Sequence, residues 1–86
     1  MISDETAIPN SQGDSVLNLR RLLCPLPVIR TQDKIKTLRP GDRLTVQCTD
    51  PGVMHDIPAW CRINGHQVLD ARQTGDEYVI VIQVHA

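Results

Sequence analysis

Two prolines one residue apart, Pro25 and Pro27, stand ahead of a stretch with no helix breaker before Pro40. Proline fits a helix only in its first turn, where the backbone N–H groups have no intrahelical partner. The pair therefore sets a helix start at Pro25, with Cys24 in the N-cap position. Behind it Val28, Thr31 or Gln32, Ile35 and Leu38 recur at helical spacing, and Arg39-Pro40-Gly41-Asp42 stops the helix and turns the chain.

The remaining elements follow from the same punctuation. Val16 to Leu19 reads as a short strand ending at Arg20-Arg21. Arg43 to Cys48 alternates at period two, with Leu44, Val46 and Cys48 inward. Asp50-Pro51-Gly52 signals a second helix start. It leads into Val53, Ile57, Trp60, Cys61 and Asn64 at helical spacing, and Asn64-Gly65 is a C-cap. Pro58 lies inside this segment, so a short turn is expected first, with the main helix restarting at Asp56 as its N-cap. Gln67–Ala71 and Tyr78–Ile82 are two strands across a Gly75-Asp76 turn, and the second, apolar on consecutive residues, suits a central position. The order is β-α-β-α-β-β. It predicts an α/β (α+β) two-layer sandwich, a four-stranded mixed sheet with both helices on one face and the other face open.

A chain of 86 residues makes one small domain. Residues 1–14 are polar and acidic and read as a flexible tail, leaving residues 15–86 as the domain. They have neither the basic nor the apolar region of a signal peptide, and no apolar run is long enough to span a bilayer. With Trp60 and Tyr78 as the only aromatics, the core must be aliphatic, and few rings are available to stack on nucleic-acid bases. The net charge of −1 also argues against a nucleic-acid binder, although residues 15–44 are basic through Arg20, Arg21, Arg30, Lys34, Lys36, Arg39 and Arg43.

Cys24, Cys48 and Cys61 are an odd, widely spaced set. That pattern suits neither a zinc site nor a disulfide framework and points to a reduced, cytoplasmic protein. Cys48 and Cys61 fall on apolar stripes and are expected in the core. Cys24 differs: a helix start, two stiffening prolines and the Arg20-Arg21 pair would each favour a held, reactive thiolate. Its competing reading is a small buried hydrophobe. His55, His66 and His85 have no spacing that suggests a Cys–His catalytic pair, His66 reads as opening a strand, and no second cysteine sits within a turn of Cys24. Such a thiol does little catalysis alone, but it can carry a group.

Leu22-Leu23-Cys24-Pro25-Leu26-Pro27, Pro40-Gly41-Asp42, Asp50-Pro51-Gly52, Asp56-Ile57-Pro58-Ala59-Trp60-Cys61 and Gly65-His66 together resemble the TusA/SirA-type sulfur carriers over about residues 16–84. The resemblance implies the same β-α-β-α-β-β fold and a role for Cys24 in accepting sulfane sulfur as a persulfide and passing it on. Pro25 and Pro27 would shape the helix start, and Arg20 and Arg21 would place charge near the sulfur. It implies a cysteine desulfurase or rhodanese-like donor and a downstream acceptor protein, in tRNA 2-thiouridine synthesis, molybdenum-cofactor biosynthesis or sulfur oxidation, with no cofactor, metal, direct nucleic-acid contact or membrane. The basic face of the first helix, Arg30, Lys34 and Lys36, is the candidate docking surface. The chain departs from the family at Asn18, commonly Asp, and at Arg21, commonly Gly. The alternative is a non-catalytic regulatory or protein-binding module that uses the open sheet face, with Cys24 structural.

Overall fold

The computed structural model describes residues 14–85. The tail expected over residues 1–14 lies outside that range, apart from Asp14, which opens the first strand. The elements are β1 (Asp14–Leu19), α1 (Leu26–Ile35), β2 (Arg43–Cys48), α2 (Val53–Asn64), β3 (Gln67–Thr74) and β4 (Glu77–Gln83). They form one four-stranded sheet in the order β1-β2-β4-β3. β1 runs parallel to β2, and β4 runs antiparallel to both β2 and β3. The apolar run of β4 therefore sits inside the sheet, as its consecutive hydrophobics require.

One face is dry. Leu19, Leu44, Val46, Cys48, Ile80, Ile82 and Val84 meet residues of both helices in a single core. Each helix contributes a stripe at i, i+4 and i+8: Pro27, Thr31 and Ile35 from α1, and Val53, Ile57 and Cys61 from α2. On the opposite face Val16 stays largely exposed. The chain end is tied in by a two-way bond with the turn before β2: Gly41 N–H donates to Val84 C=O and Val84 N–H to Asp42 C=O, each at 2.8 Å.

Two local expectations need correction. α2 does not restart at Asp56; it runs unbroken from Val53, with Gly52 as N-cap, Asp56 in its first turn and Pro58 inside. Pro58 deletes one helical hydrogen bond, but the completely buried Ile57 and Cys61 on either side hold the helix against the sheet through that gap. α1 begins one residue later than expected, with Pro25 rather than Cys24 as N-cap and no side chain capping it. Gly65 ends α2 at φ +81°, the left-handed cap that Asn64-Gly65 predicts.

Candidate functional site

Because β1 and β2 are parallel neighbours, the loops that follow them emerge at the same end of the sheet. The first loop carries Cys24, and the second carries Thr49 and Asp50 into the start of α2. β4 enters the sheet at this end as well, since Tyr78 pairs with Cys48. Residues far apart in sequence thus converge around the first loop.

Three bonds stitch the first loop to the second and to the start of α2. Arg21 N–H donates to Thr49 Oγ1 at 2.8 Å, Cys24 N–H to Asp50 Oδ2 at 2.7 Å, and the Cys24 thiol to Asp56 Oδ2 at 2.7 Å. The second oxygen of Asp50, Oδ1, accepts Gly52 N–H at 3.0 Å. The Asp50 carboxyl is consequently held below the usual aspartate range, first by the Gly52 N–H and then by that of Cys24. Asp50 ties the two loops and closes the turn that launches α2.

Cys24 is the exposed thiol; Cys48 and Cys61 are free and buried, as expected. Burial pushes both interior thiols up to about 11. The Cys24 thiol is also raised, chiefly because its proton is bonded to Asp56, with desolvation and the charges of Asp56 and Asp50 adding to the effect. This corrects the electrostatic expectation. The Arg pair does not supply the environment of the sulfur: Arg20 reaches Glu77 in a two-pronged ion pair, Nε to Oε2 at 2.8 Å and NH2 to Oε1 at 3.0 Å. Arg21 is exposed and gives the site only its backbone N–H. The geometry therefore sets a carboxyl group, rather than a guanidinium, against the sulfur.

Arg21 adopts φ +70°. At that φ the β-carbon of an ordinary residue is crowded and glycine is not, so the turn keeps a glycine-type conformation with arginine in place. Asn18 Oδ1 accepts Arg20 N–H at 3.0 Å and bridges the end of β1 to this turn. Pro25 is exposed and follows a cis peptide bond from Cys24, while Pro27 is buried and heads the inward stripe of α1. The two prolines therefore act differently, one beside the sulfur and one as a wedge into the core.

Around the thiol the surface is apolar and open. Leu23, Leu26 and Ile29 expose 72%, 41% and 45% of their surface, three large hydrophobics within seven residues of chain. A groove of about 530 Å³ runs beside α1, with Leu17 and Leu22 in its lining and Arg30 and Lys34 beside them, but Cys24 does not line it. Lys36 lies 3.9 Å from Asp33 on the same helix. At the other end of the molecule His66, just before β3, stacks on Trp60 at 5.2 Å and accepts His85 N–H through Nδ1. Sequence reasoning missed Asp50 and Asp56 as partners of Cys24. The one available signal was that Asp50-Pro51-Gly52 and Asp56 belong to the same set of motifs as Cys24.

Residues 15–84 match the family model for sulfurtransferase TusA. The sulfur carrier protein TusA of Pseudomonas aeruginosa is 34% identical over 73 residues, covering 85% of this chain and 92% of that protein. YrkI of Bacillus subtilis, named as a candidate sulfur carrier, is 37% identical over 65 residues, covering 76% and 87%. Among solved structures, a SirA-like protein from Desulfitobacterium hafniense superposes with a TM-score of 0.73 at 18% identity, covering 84% of this chain and 99% of that one. That likeness concerns the fold: two helices on a four-stranded mixed sheet.

Proposed function

The chain belongs to the TusA family of sulfur carriers, and from that premise we propose that Cys24 is the atom-level carrier, holding sulfane sulfur as a persulfide and relaying it. The observation that carries the reading is that, of three free thiols, Cys24 alone reaches the surface. It stands in the open, on a loop anchored by two carboxylates, rather than in a cleft. A carrier needs that placement, because its sulfur must enter two partners' active sites in turn. Pro25 and Pro27 position the loop, while Arg20 and Arg21 act at one remove, through Glu77 and Thr49.

The donor we infer is a cysteine desulfurase or a rhodanese-like protein that ends with a persulfide on its own cysteine, and the acceptor is another protein thiol. The exposed Leu23, Leu26 and Ile29 give such partners an apolar rim, and Arg30 with Lys34 offers a basic flank to acidic surfaces. Uridine thiolation in tRNA, molybdenum-cofactor assembly and sulfur oxidation are the downstream uses compatible with this chemistry. Three unpaired thiols suit a reducing compartment such as the cytoplasm. Among the described residues no helix is long and apolar enough to cross a membrane.

The test is intact-protein mass spectrometry of reduced protein incubated with a cysteine desulfurase and L-cysteine, beside Cys24→Ala. The expected result is gain of one sulfur atom, reversed by reductant and absent from the variant. Equal gain on the variant, or none on either, would turn attention to a binding role for the open sheet face.

A further inference from the structure

We propose that Asp56 is a catalytic residue of sulfur transfer, the group that takes the Cys24 proton as the sulfur attacks the donor. This rests on Cys24 being the sulfur carrier. Asp56 Oδ2 meets Sγ itself, at 2.7 Å, and so touches the reacting atom. Of the two carboxylates at the site, Asp56 alone has room for the task. Both oxygens of Asp50 already accept backbone N–H groups, from Gly52 and from Cys24. Among the described residues the Asp56 carboxylate has the thiol as its single hydrogen-bond donor and no ion-pair partner.

The step balances without an outside oxidant or reductant. Cys24–SH meets a donor persulfide, R–S–SH. As Sγ attacks the terminal sulfane sulfur, its proton passes to Asp56. The Sγ–S bond forms, the donor's S–S bond breaks, and R–S⁻ leaves with that electron pair. The Asp56 proton then returns to the departing thiolate, giving Cys24–S–SH and R–SH. At rest the same contact keeps the thiol protonated, and a protonated thiol is a poor nucleophile towards adventitious electrophiles. Asp56 thus holds back attack on electrophiles whose leaving group needs no proton and assists transfer in which a departing thiolate takes one, with one hydrogen bond.

Those two roles give the test its sign. A carboxylate that acted only as a nearby negative charge would hinder the thiolate, so neutralising it should speed every reaction of Cys24. A proton acceptor behaves otherwise. For Asp56→Asn and Asp56→Ser, alkylation of Cys24 by iodoacetamide at pH 7 is expected to rise severalfold. The single-turnover rate of loading by saturating glutathione persulfide, followed by intact mass, is expected to fall by about 10²-fold. Asp56→Glu should recover most of the loading rate. Glutathione persulfide is small, so a change in protein docking does not enter. Either neutral variant suffices, provided its circular dichroism matches wild type. Loading that stays the same or accelerates with alkylation, in a background where wild type loads and Cys24→Ala does not, overturns the assignment to Asp56 alone. If wild type itself gains no sulfur, it is the carrier reading that has failed.

Discussion

The two helices are built to the same plan and filled differently. α2 lays Val53, Ile57 and Cys61 against the sheet, all apolar and essentially without exposure. α1 uses the same spacing for Pro27, Thr31 and Ile35. Its middle contact is a threonine whose Oγ1 is buried with no hydrogen-bond partner among the described residues, and burying such a hydroxyl costs free energy. Neither helix start has a side-chain cap, and both helices leave apolar side chains in solvent, Leu26 and Ile29 on α1 and Ile63 on α2, so the difference lies in the inward stripe. The contrast shows a division of labour. The helix that follows the exposed Cys24 has the less well satisfied inward stripe, and the groups that hold Cys24, Asp50 through its N–H and Asp56 through its thiol, lie at the start of the other helix.

The largest test of that contrast is in the core. Ile57→Ala should destabilise the protein by about 3 kcal/mol, read from chemical denaturation, because the residue is completely buried. Ile35→Ala on α1, where the side chain keeps 7% exposure, should cost less; equal losses would break the distinction between the helices. Thr31→Val addresses the opposite side. It keeps the branched shape and removes the orphan hydroxyl, so it should raise stability by about 1 kcal/mol in the same assay. A loss would mean that the hydroxyl is satisfied in solution.

The smallest expected effect is acid sensitivity at the loop junction. The Asp50 carboxyl is held below its ordinary value by the Gly52 and Cys24 N–H groups, and Glu77 likewise by its bond from Arg20. In this range the unfolded chain binds protons more readily than the folded one. The stability these groups contribute is therefore present above their unfolded pKa values, about 4, and drains away as pH falls through the lower folded values. Thermal melts from pH 6 to pH 3 should show a falling Tm, with a shallower fall for Asp50→Asn. Both groups are solvent-screened, so the slope should be modest. Identical slopes would remove Asp50 from the account.

Much of this architecture was legible because it is local. The alternation of Arg43–Cys48, the left-handed cap at Gly65 and the interior position of Tyr78–Ile82 each depend on short-range pattern. So does the burial of Cys48 and Cys61. What sequence reasoning misjudged was the chemistry around the sulfur, and the cause is distance along the chain. Arg20 and Arg21 are neighbours of Cys24 in sequence, so their charge was assigned to it. Glu77, 57 residues downstream of Arg20, claims that guanidinium, and Asp56, 32 residues downstream of Cys24, reaches the thiol. Both meetings are made by strand pairing, β1 beside β2 and β2 beside β4, which residue spacing does not display. Pro58 misled for a related reason: its cost to the helix is local, whereas the contacts of Ile57 and Cys61 that outweigh it are tertiary.

The strand directions have a practical consequence. Asp14 pairs with Arg43, and Arg43 with Gln83, so the start of β1 and the end of β4 lie together at the pole away from Cys24. Strands of six or seven residues put about 20 Å between the poles. Among the described residues, the chain therefore enters and leaves the sheet by the back door. A tether, a bead or a second protein attached beside Asp14 or Gln83 would be anchored behind the domain, at the pole opposite Cys24.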